Sequence, residues 1–168
     1  RGGRSPAVTE AARRYLVVGP AWVGDMVMAQ SLFIALRQQD PACVIDVVAP
    51  AWSEPLLARM PEVRQAITLP VSHGELGLRK RYERGRALRG AGYTHAIVLP
   101  RSLKAALVPF FARVPVRTGY RGEMRYGLIN DMRPLDRTVL TRTVQRFVAL
   151  GRPAGAPLPP VTPHPALI

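Results

Sequence analysis

Apolar residues in this chain do not alternate with polar ones; they come in short unbroken runs closed by Gly or Pro. Tyr15-Leu16-Val17-Val18 precedes Gly19-Pro20, CVIDVVA from Cys43 precedes Pro50, and YTHAIVL from Tyr93 precedes Pro100. Continuous runs of this length predict strands buried on both faces, as in a parallel sheet covered by helices. Five strands are expected, at 14–18, 43–49, 64–69, 93–99 and 114–119, with 64–69 the weakest pattern. The first helix, 25–37, is apolar almost all round (Met26, Val27, Met28, Leu32, Phe33, Ile34, Leu36), so it is expected inside the fold. Gln38-Gln39-Asp40-Pro41 stops it. A short helix at 53–60 has Ser53 as its expected cap and Pro55 in its first turn. A basic helix at 78–89 ends at Gly90, an apolar helix from Ser102 is bent or ended early by Pro109, and a last helix covers 138–150. Strands alternating with helices at this spacing predict an α/β fold.

The pattern also divides the chain. Residues 1–12 read as a flexible tail and 13–150 as one α/β domain. From Gly151 onward six of eighteen residues are proline and no apolar period survives, so 151–168 reads as a linker or tail. Its place after a complete α/β layer leads us to expect a further domain, and the missing initiator Met leads us to expect a different natural start. No internal repeat stands out. A chain of 168 residues buries one good core or two small ones. No run approaches the roughly 18 apolar residues of a membrane span, and the basic N-terminus lacks a signal sequence's apolar centre. One cysteine, Cys43, excludes an internal disulfide framework and fits a reducing compartment, so a cytoplasmic location is expected.

Charge changes the picture more than composition does. The net charge is +13, and only Lys80 and Lys104 are lysines; every other cation is arginine. An arginine-biased codon supply explains part of that excess, and an anionic partner is the functional reading. Nucleic acid fits less well than phosphate or acidic sugar, because the few aromatics do not interleave with the arginines as a base-stacking platform requires.

Candidate chemistry centres on GPAWVGDMVM, residues 19–28, between the first strand and the first helix. Gly19 and Gly24 have P-loop spacing, yet Asp25 and Met26 stand where that loop needs Lys and Ser or Thr. Ala21 also breaks the Rossmann G-x-G-x-x-G. A carboxylate there repels phosphate, which argues against a nucleotide at this loop. Two readings stay open on spacing alone. Asp25 caps free N–H groups at the helix start, or it serves as general base on a loop at the ligand edge of the sheet, where Gly24 leaves room for a substrate.

The segments VVGPAWVGDMVMAQSLFIAL, VVAPAWSEPLLARMPEV, YTHAIVLPRSLKAALVPFFA and RTGYRGEMRYGLIND together resemble the N-terminal half of the lipopolysaccharide heptosyltransferases, the type II members most closely. The resemblance runs through about residues 14–150 in order. It implies the N-terminal domain of a GT-B glycosyltransferase, a Rossmann-like parallel sheet with helices on both faces. It further implies transfer of L-glycero-D-manno-heptose from ADP-heptose to the heptosyl-Kdo-lipid A inner core, with inversion and with neither metal nor cofactor. The N-terminal half would bind the acceptor, and most of the donor site would lie on a C-terminal domain beyond 168, so this chain alone is expected to be inactive.

Carried onto this sequence, the resemblance makes Asp25 the general base, with Gly24 and Trp22 beside the acceptor. Trp22 either stacks on a sugar face or plugs the loop against the core. Lys104, Arg117, Arg121 and Arg125 become candidate contacts to the acceptor's anionic groups, each set against the alternative of a solvated surface charge. Arg79, Lys80, Arg81 and Arg84 could rest on anionic headgroups of the inner membrane, although a solvated face is the simpler reading. His73 matches a recurring family feature without the neighbours a metal site needs. His95, inside a strand, reads as a satisfied core histidine. Arg101 departs from the family's usual Asn before Ser102. Alternatives are a type I or other core heptosyltransferase and, from another class, a non-catalytic module that binds anionic glycolipid; a second βα pattern after 168 would exclude the latter.

Overall fold

The computed structural model describes residues 12–71, 75–138, 140, 142–159 and 162–168. The tail expected at 1–12, all but its last residue, lies outside the described residues, as does His73. In chain order the elements are β1 (Arg14–Val18), α1 (Val23–Gln39), β2 (Val44–Ala49), α2 (Glu54–Leu57), β3 (Gln65–Thr68), α3 (Leu78–Leu88), β4 (His95–Val98), α4 (Leu107–Phe111), β5 (Val116–Tyr120), β6 (Asp131–Arg133) and α5 (Thr143–Leu150). Short 3₁₀ turns at Ala51–Ser53, Arg89–Ala91 and Lys104–Ala106 extend α2, α3 and α4.

Every strand pairing is parallel, in the order β3-β2-β1-β4-β5-β6. This is the doubly wound α/β arrangement, with a change of direction between β1 and β4. Alternate residues of each strand enter two cores. Tyr15, Val17, Ile45, Val47 and Ile97 meet Met26, Leu32, Phe33 and Leu36 of α1 and Phe147 of α5. Leu16, Val18, Val48, Ile67, Ala96 and Val98 meet Ala105, Ala106 and Val108 around α4. Both faces of the strands are covered, which is why their sequences read as unbroken apolar runs.

A buried carboxylate ties the β2 side of the sheet together. Asp46 on β2 has no exposure. It accepts hydrogen bonds from Arg64 Nε at 2.9 Å, from Arg64 Nη2, from Gln65 Nε2 at 3.2 Å and from the Tyr93 hydroxyl. Burial, followed by the bond to Asp46, pushes the Tyr93 phenol up to about 12.

Several expectations need correction. Ser53 makes no side-chain cap; its hydroxyl donates to Pro50 O at 2.7 Å, and a 3₁₀ turn starts the short helix before it. The helix expected from Ser102 is a 3₁₀ turn at Lys104–Ala106 followed by the five-residue α4, with Pro109 in its first turn, where a missing N–H is tolerated. The expected helix 138–150 begins at Thr143, and β6 lies where no element was expected. Residues 151–168 form no helix or strand among those described, yet the end of the segment is docked. The buried Gln30 amide donates to Ala166 O and accepts from Ala166 N, both at 2.8 Å, while Ile168 bonds Arg59. This contact helps cover α1, which explains a helix apolar on nearly every side.

Replacing Arg64 with Met leaves the Asp46 carboxylate buried without its cation and should cost about 2 kcal/mol, read from urea unfolding. His95 is half-buried, with Nδ1 2.8 Å from Thr94 Oγ1 and its ring 5.5 Å from that of Tyr15. Burial, then the charge of Arg13, pulls its pKa below 6.5. The cationic form is therefore disfavoured in the fold: its contribution is complete above pH 6.5 and stability is lost as the pH falls below that value. His95→Gln should flatten that part of the stability–pH curve.

Candidate active site

The loops that leave β1 and β4 turn to opposite faces of the sheet, so the carboxyl ends of these strands border an open gap. A cleft of about 790 Å³ occupies it. Gly19 continues from β1, its N–H bonded to Val48 O at 2.9 Å. A Cβ on Gly19 would lie 2.6 Å from Met26 Cε and 3.2 Å from Val47 Cγ1, so a larger residue there would push the Met26 side chain of α1 aside. The helix then begins at Val23 with Trp22 as an uncapped N-cap, and Asp25 lies in the first turn, half-buried and facing the cleft.

The N-cap residue Trp22 makes no side-chain cap of α1, and Asp25, in the first turn, complements the helix dipole while bordering the cleft. Gly24 beside it has no atom within 4 Å of a notional Cβ, which leaves open space at that position. Trp22 is 66% exposed at the rim, so it does not plug the loop against the core. Trp52 stands on the β2 side of the same cleft.

Five cations line the cleft together with the single carboxylate among the described lining residues: Arg81, Arg101, Lys104, Arg137 and Arg146. Of the expected basic contacts, Lys104 is there, in the 3₁₀ turn before α4. Arg121 is exposed at the carboxyl end of β5 but outside the cleft lining; its carbonyl accepts from Arg101 Nε and Nη2 at 3.1 and 3.0 Å. Arg117 and Arg125 are corrections. Arg117 lies toward the amino end of β5, donating to Leu128 O (2.7 Å), Val114 O (2.8 Å) and Gly127 O (3.3 Å) and resting over the Phe110 ring. Arg125 has no exposure, and its guanidinium is occupied by backbone carbonyls. Neither can reach a ligand in the cleft.

The basic helix is corrected too. Arg79 and Lys80 pair with Glu83 and Glu75 at the surface. Arg81, however, is buried, donating to Leu76 O (2.7 Å) and Lys104 O (3.2 Å), and burial lowers its pKa. A signal for this existed: Arg81 stands four residues before the buried Gly85, on the face of α3 that packs against α4. Arg137 and Arg146 were missed because nothing local distinguishes them from other arginines; β6 and α5 return the chain to the cleft.

A Cβ on Gly122 would lie 2.2 Å from Arg101 O. Gly122→Ala should therefore separate the loops after β4 and β5 and cost about 1–3 kcal/mol in thermal unfolding. Gly24→Ala, with open space around it, should instead raise stability by up to about 1 kcal/mol.

The comparisons with known proteins agree with this architecture. The family model of glycosyltransferase family 9 (heptosyltransferase) matches residues 81–166. The chain is 54% identical over 142 residues to lipopolysaccharide heptosyltransferase 2 of Escherichia coli K12, covering 84% of this chain and 41% of that protein. It is 53% identical over 137 residues to lipooligosaccharide heptosyltransferase 2 of Haemophilus ducreyi, covering 82% and 39%. The chain thus spans about two-fifths of the length of these relatives. Among solved structures, E. coli ADP-heptose LPS heptosyltransferase II superposes with a TM-score of 0.83 at 46% identity, over 92% of this chain and 46% of that one. E. coli heptosyltransferase WaaC with ADP shares the fold, with a TM-score of 0.71 at 21% identity over 88% and 49%. The doubly wound sheet, the family-model match over residues 81–166 and the 54% identity to heptosyltransferase 2 of E. coli lead to one statement: the chain belongs to glycosyltransferase family 9, the heptosyltransferases.

Proposed function

We propose that this chain is the acceptor-binding half of a type II lipopolysaccharide heptosyltransferase, with Asp25 as its general base. The observation that carries the reading is the placement of Asp25: a half-exposed carboxylate in the first turn of α1, beside open space at Gly24, in a cleft also lined by Lys104 and four arginines. An anionic, phosphorylated heptosyl-Kdo-lipid A core is the acceptor chemistry such a cleft suits. The cations fix the anionic groups, and Trp22 offers an exposed aromatic face at the rim for a sugar ring.

In the proposed reaction an acceptor hydroxyl attacks the anomeric carbon of ADP-heptose from the face opposite the leaving group. The C–O bond to ADP breaks as the new glycosidic bond forms, so the configuration inverts. Asp25 takes the proton from the attacking hydroxyl, and ADP departs with the bonding electron pair. No metal ion or cofactor enters this scheme, and most contacts to the donor fall outside this chain. The reaction belongs at the cytoplasmic face of the inner membrane, where a glycolipid acceptor is reached by peripheral contact. No helix among the described residues is long and apolar enough to cross a membrane.

Two measurements test the reading. Calorimetric titration of the 168-residue chain at low salt should show saturable binding of the deacylated heptosyl-Kdo core and none of ADP-heptose; the reverse result would put the nucleotide on this half and remove the basis for the role of Asp25. In the natural full-length protein, Asp25→Asn should lower kcat by about 10²–10⁴-fold with acceptor KM little changed. A variant that keeps full kcat would sink the general-base assignment.

A further inference from the structure

Arg125 is the largest fully buried side chain described, and it has no carboxylate among its hydrogen-bond partners. Its Nη1 donates to Pro100 O at 2.6 Å and Ser102 O at 3.2 Å, while Nε at 3.1 Å and Nη2 both donate to Tyr120 O. One planar group therefore joins the loop after β4 to the end of β5. Burying a guanidinium in this way is a poor source of stability, since an apolar side chain of similar volume commonly does as well. What the guanidinium offers, and an apolar side chain does not, is a rigid fork that fixes carbonyls from separate segments in one plane.

The sequence around it makes room for that fork. A Cβ on Gly119 would lie 3.0 Å from Arg125 Nη2, so glycine there admits the guanidinium. The same two loops are joined again nearer the cleft. Glu123 N donates to Arg101 O at 3.1 Å, Leu103 N donates to Glu123 Oε2 at 3.1 Å, and the Arg101 side chain is turned onto Arg121 O. Arg81 adds a bond from the other side, to Lys104 O. The segment held by these bonds carries Arg101, Ser102 and Lys104, all of which line the cleft. Burial, then repulsion by Arg101, lowers the pKa of Arg125 to about 10, so it stays cationic at neutral pH and adds positive charge behind that wall.

We propose that Arg125 is a positioning residue for the acceptor: through the carbonyls of Pro100, Ser102 and Tyr120 it sets the place of Arg101 and Lys104 in the cleft without touching the ligand. The proposal rests on the acceptor-half reading for its ligand, but not for its geometry.

The test compares Arg125→Met, Arg125→Lys and Gly119→Ala in the natural full-length protein, with Arg64→Met as a remote variant of reduced stability. Kinetics are run below the unfolding transition of every variant. Arg125→Met should raise acceptor KM by about 10- to 100-fold while kcat and donor KM move by less than about threefold. Arg125→Lys restores the charge without the fork and should recover only part of the loss. Gly119→Ala keeps the guanidinium but crowds it, so it should shift acceptor KM the same way and by less, and it serves as the decisive variant if Arg125→Met does not fold. Arg64→Met should leave acceptor KM unchanged. Hydrogen exchange supplies a readout that does not depend on the acceptor: the amides of Leu103 and Glu123 should exchange faster in Arg125→Met and Gly119→Ala, and those of β2 and β3 should not. Equal acceptor KM changes in the Arg125, Gly119 and Arg64 variants, or exchange that rises evenly across the fold, would overturn the proposal. If the wild type fails to use the core acceptor while the Leu103 and Glu123 amides still respond as described, the positioning geometry stands and the functional reading above falls.

Discussion

The structure depends on the reversal of strand order between β1 and β4. Parallel strands need crossover connections, and a doubly wound sheet sends them to opposite faces on either side of the reversal. The chain leaving β1 enters α1 on one face, while the chain leaving β4 turns toward α4 on the other. Among the described residues no segment bridges the gap, and it stays open however well the two cores pack. Gly19 leads from β1 into α1 and Asp25 lies in the first turn of that helix, so both line the gap.

The surplus of arginine has two uses in this fold, and net charge does not separate them. Arg81, Arg117, Arg125 and Arg133 all donate to backbone carbonyls, joining segments that share no regular hydrogen-bond ladder. A guanidinium suits this work because its donors point in fixed, separate directions, whereas an ammonium acts as a point charge. Among the described residues, only five of the cations line the cleft. The charge of +13 therefore overstates the electrostatic footprint offered to a ligand, and Arg81 belongs to both groups at once.

What could be read from the sequence follows from how local each cause is. β1, β2 and β4 were legible because burial on both faces leaves an unbroken apolar run, and α1 was legible because the sheet, α5 and the docked 166–168 segment together leave it few solvent-facing positions. β6, Asp-Met-Arg, has half-buried residues and one strand neighbour, so it carries no such run. The docking at Gln30 joins residues 136 apart in sequence, beyond the reach of any local pattern. Within the site, Asp25 was legible because a glycine-flanked loop between strand and helix has one place to go. Arg117, Arg121 and Arg125 were not. Being near the end of a strand does not say to which side a long side chain turns, and Arg117 proved to lie at the far edge while Arg125 turned inward.

The same cleft geometry bears on where a nucleotide would have to be held. Helix N-termini are the usual cradle for phosphate, because free N–H groups and the dipole converge there. At the start of α1 that cradle is present, not capped by the Trp22 side chain, but Asp25 stands in its first turn and faces the ligand space. A diphosphate there would meet a carboxylate at close range, whereas a neutral hydroxyl would meet a hydrogen-bond acceptor. The cations that could offset the repulsion are Arg81, Arg101 and Lys104 on the β4 and α3 sides and Arg137 and Arg146 by α5, which packs beside α1. On the reading proposed above, a ligand would place its hydroxyl at Asp25 and turn its negative charge toward Lys104 and the arginines. A phosphorylated sugar has that distribution of charge. A nucleotide diphosphate placed at α1 does not, which is why that reading puts the donor elsewhere.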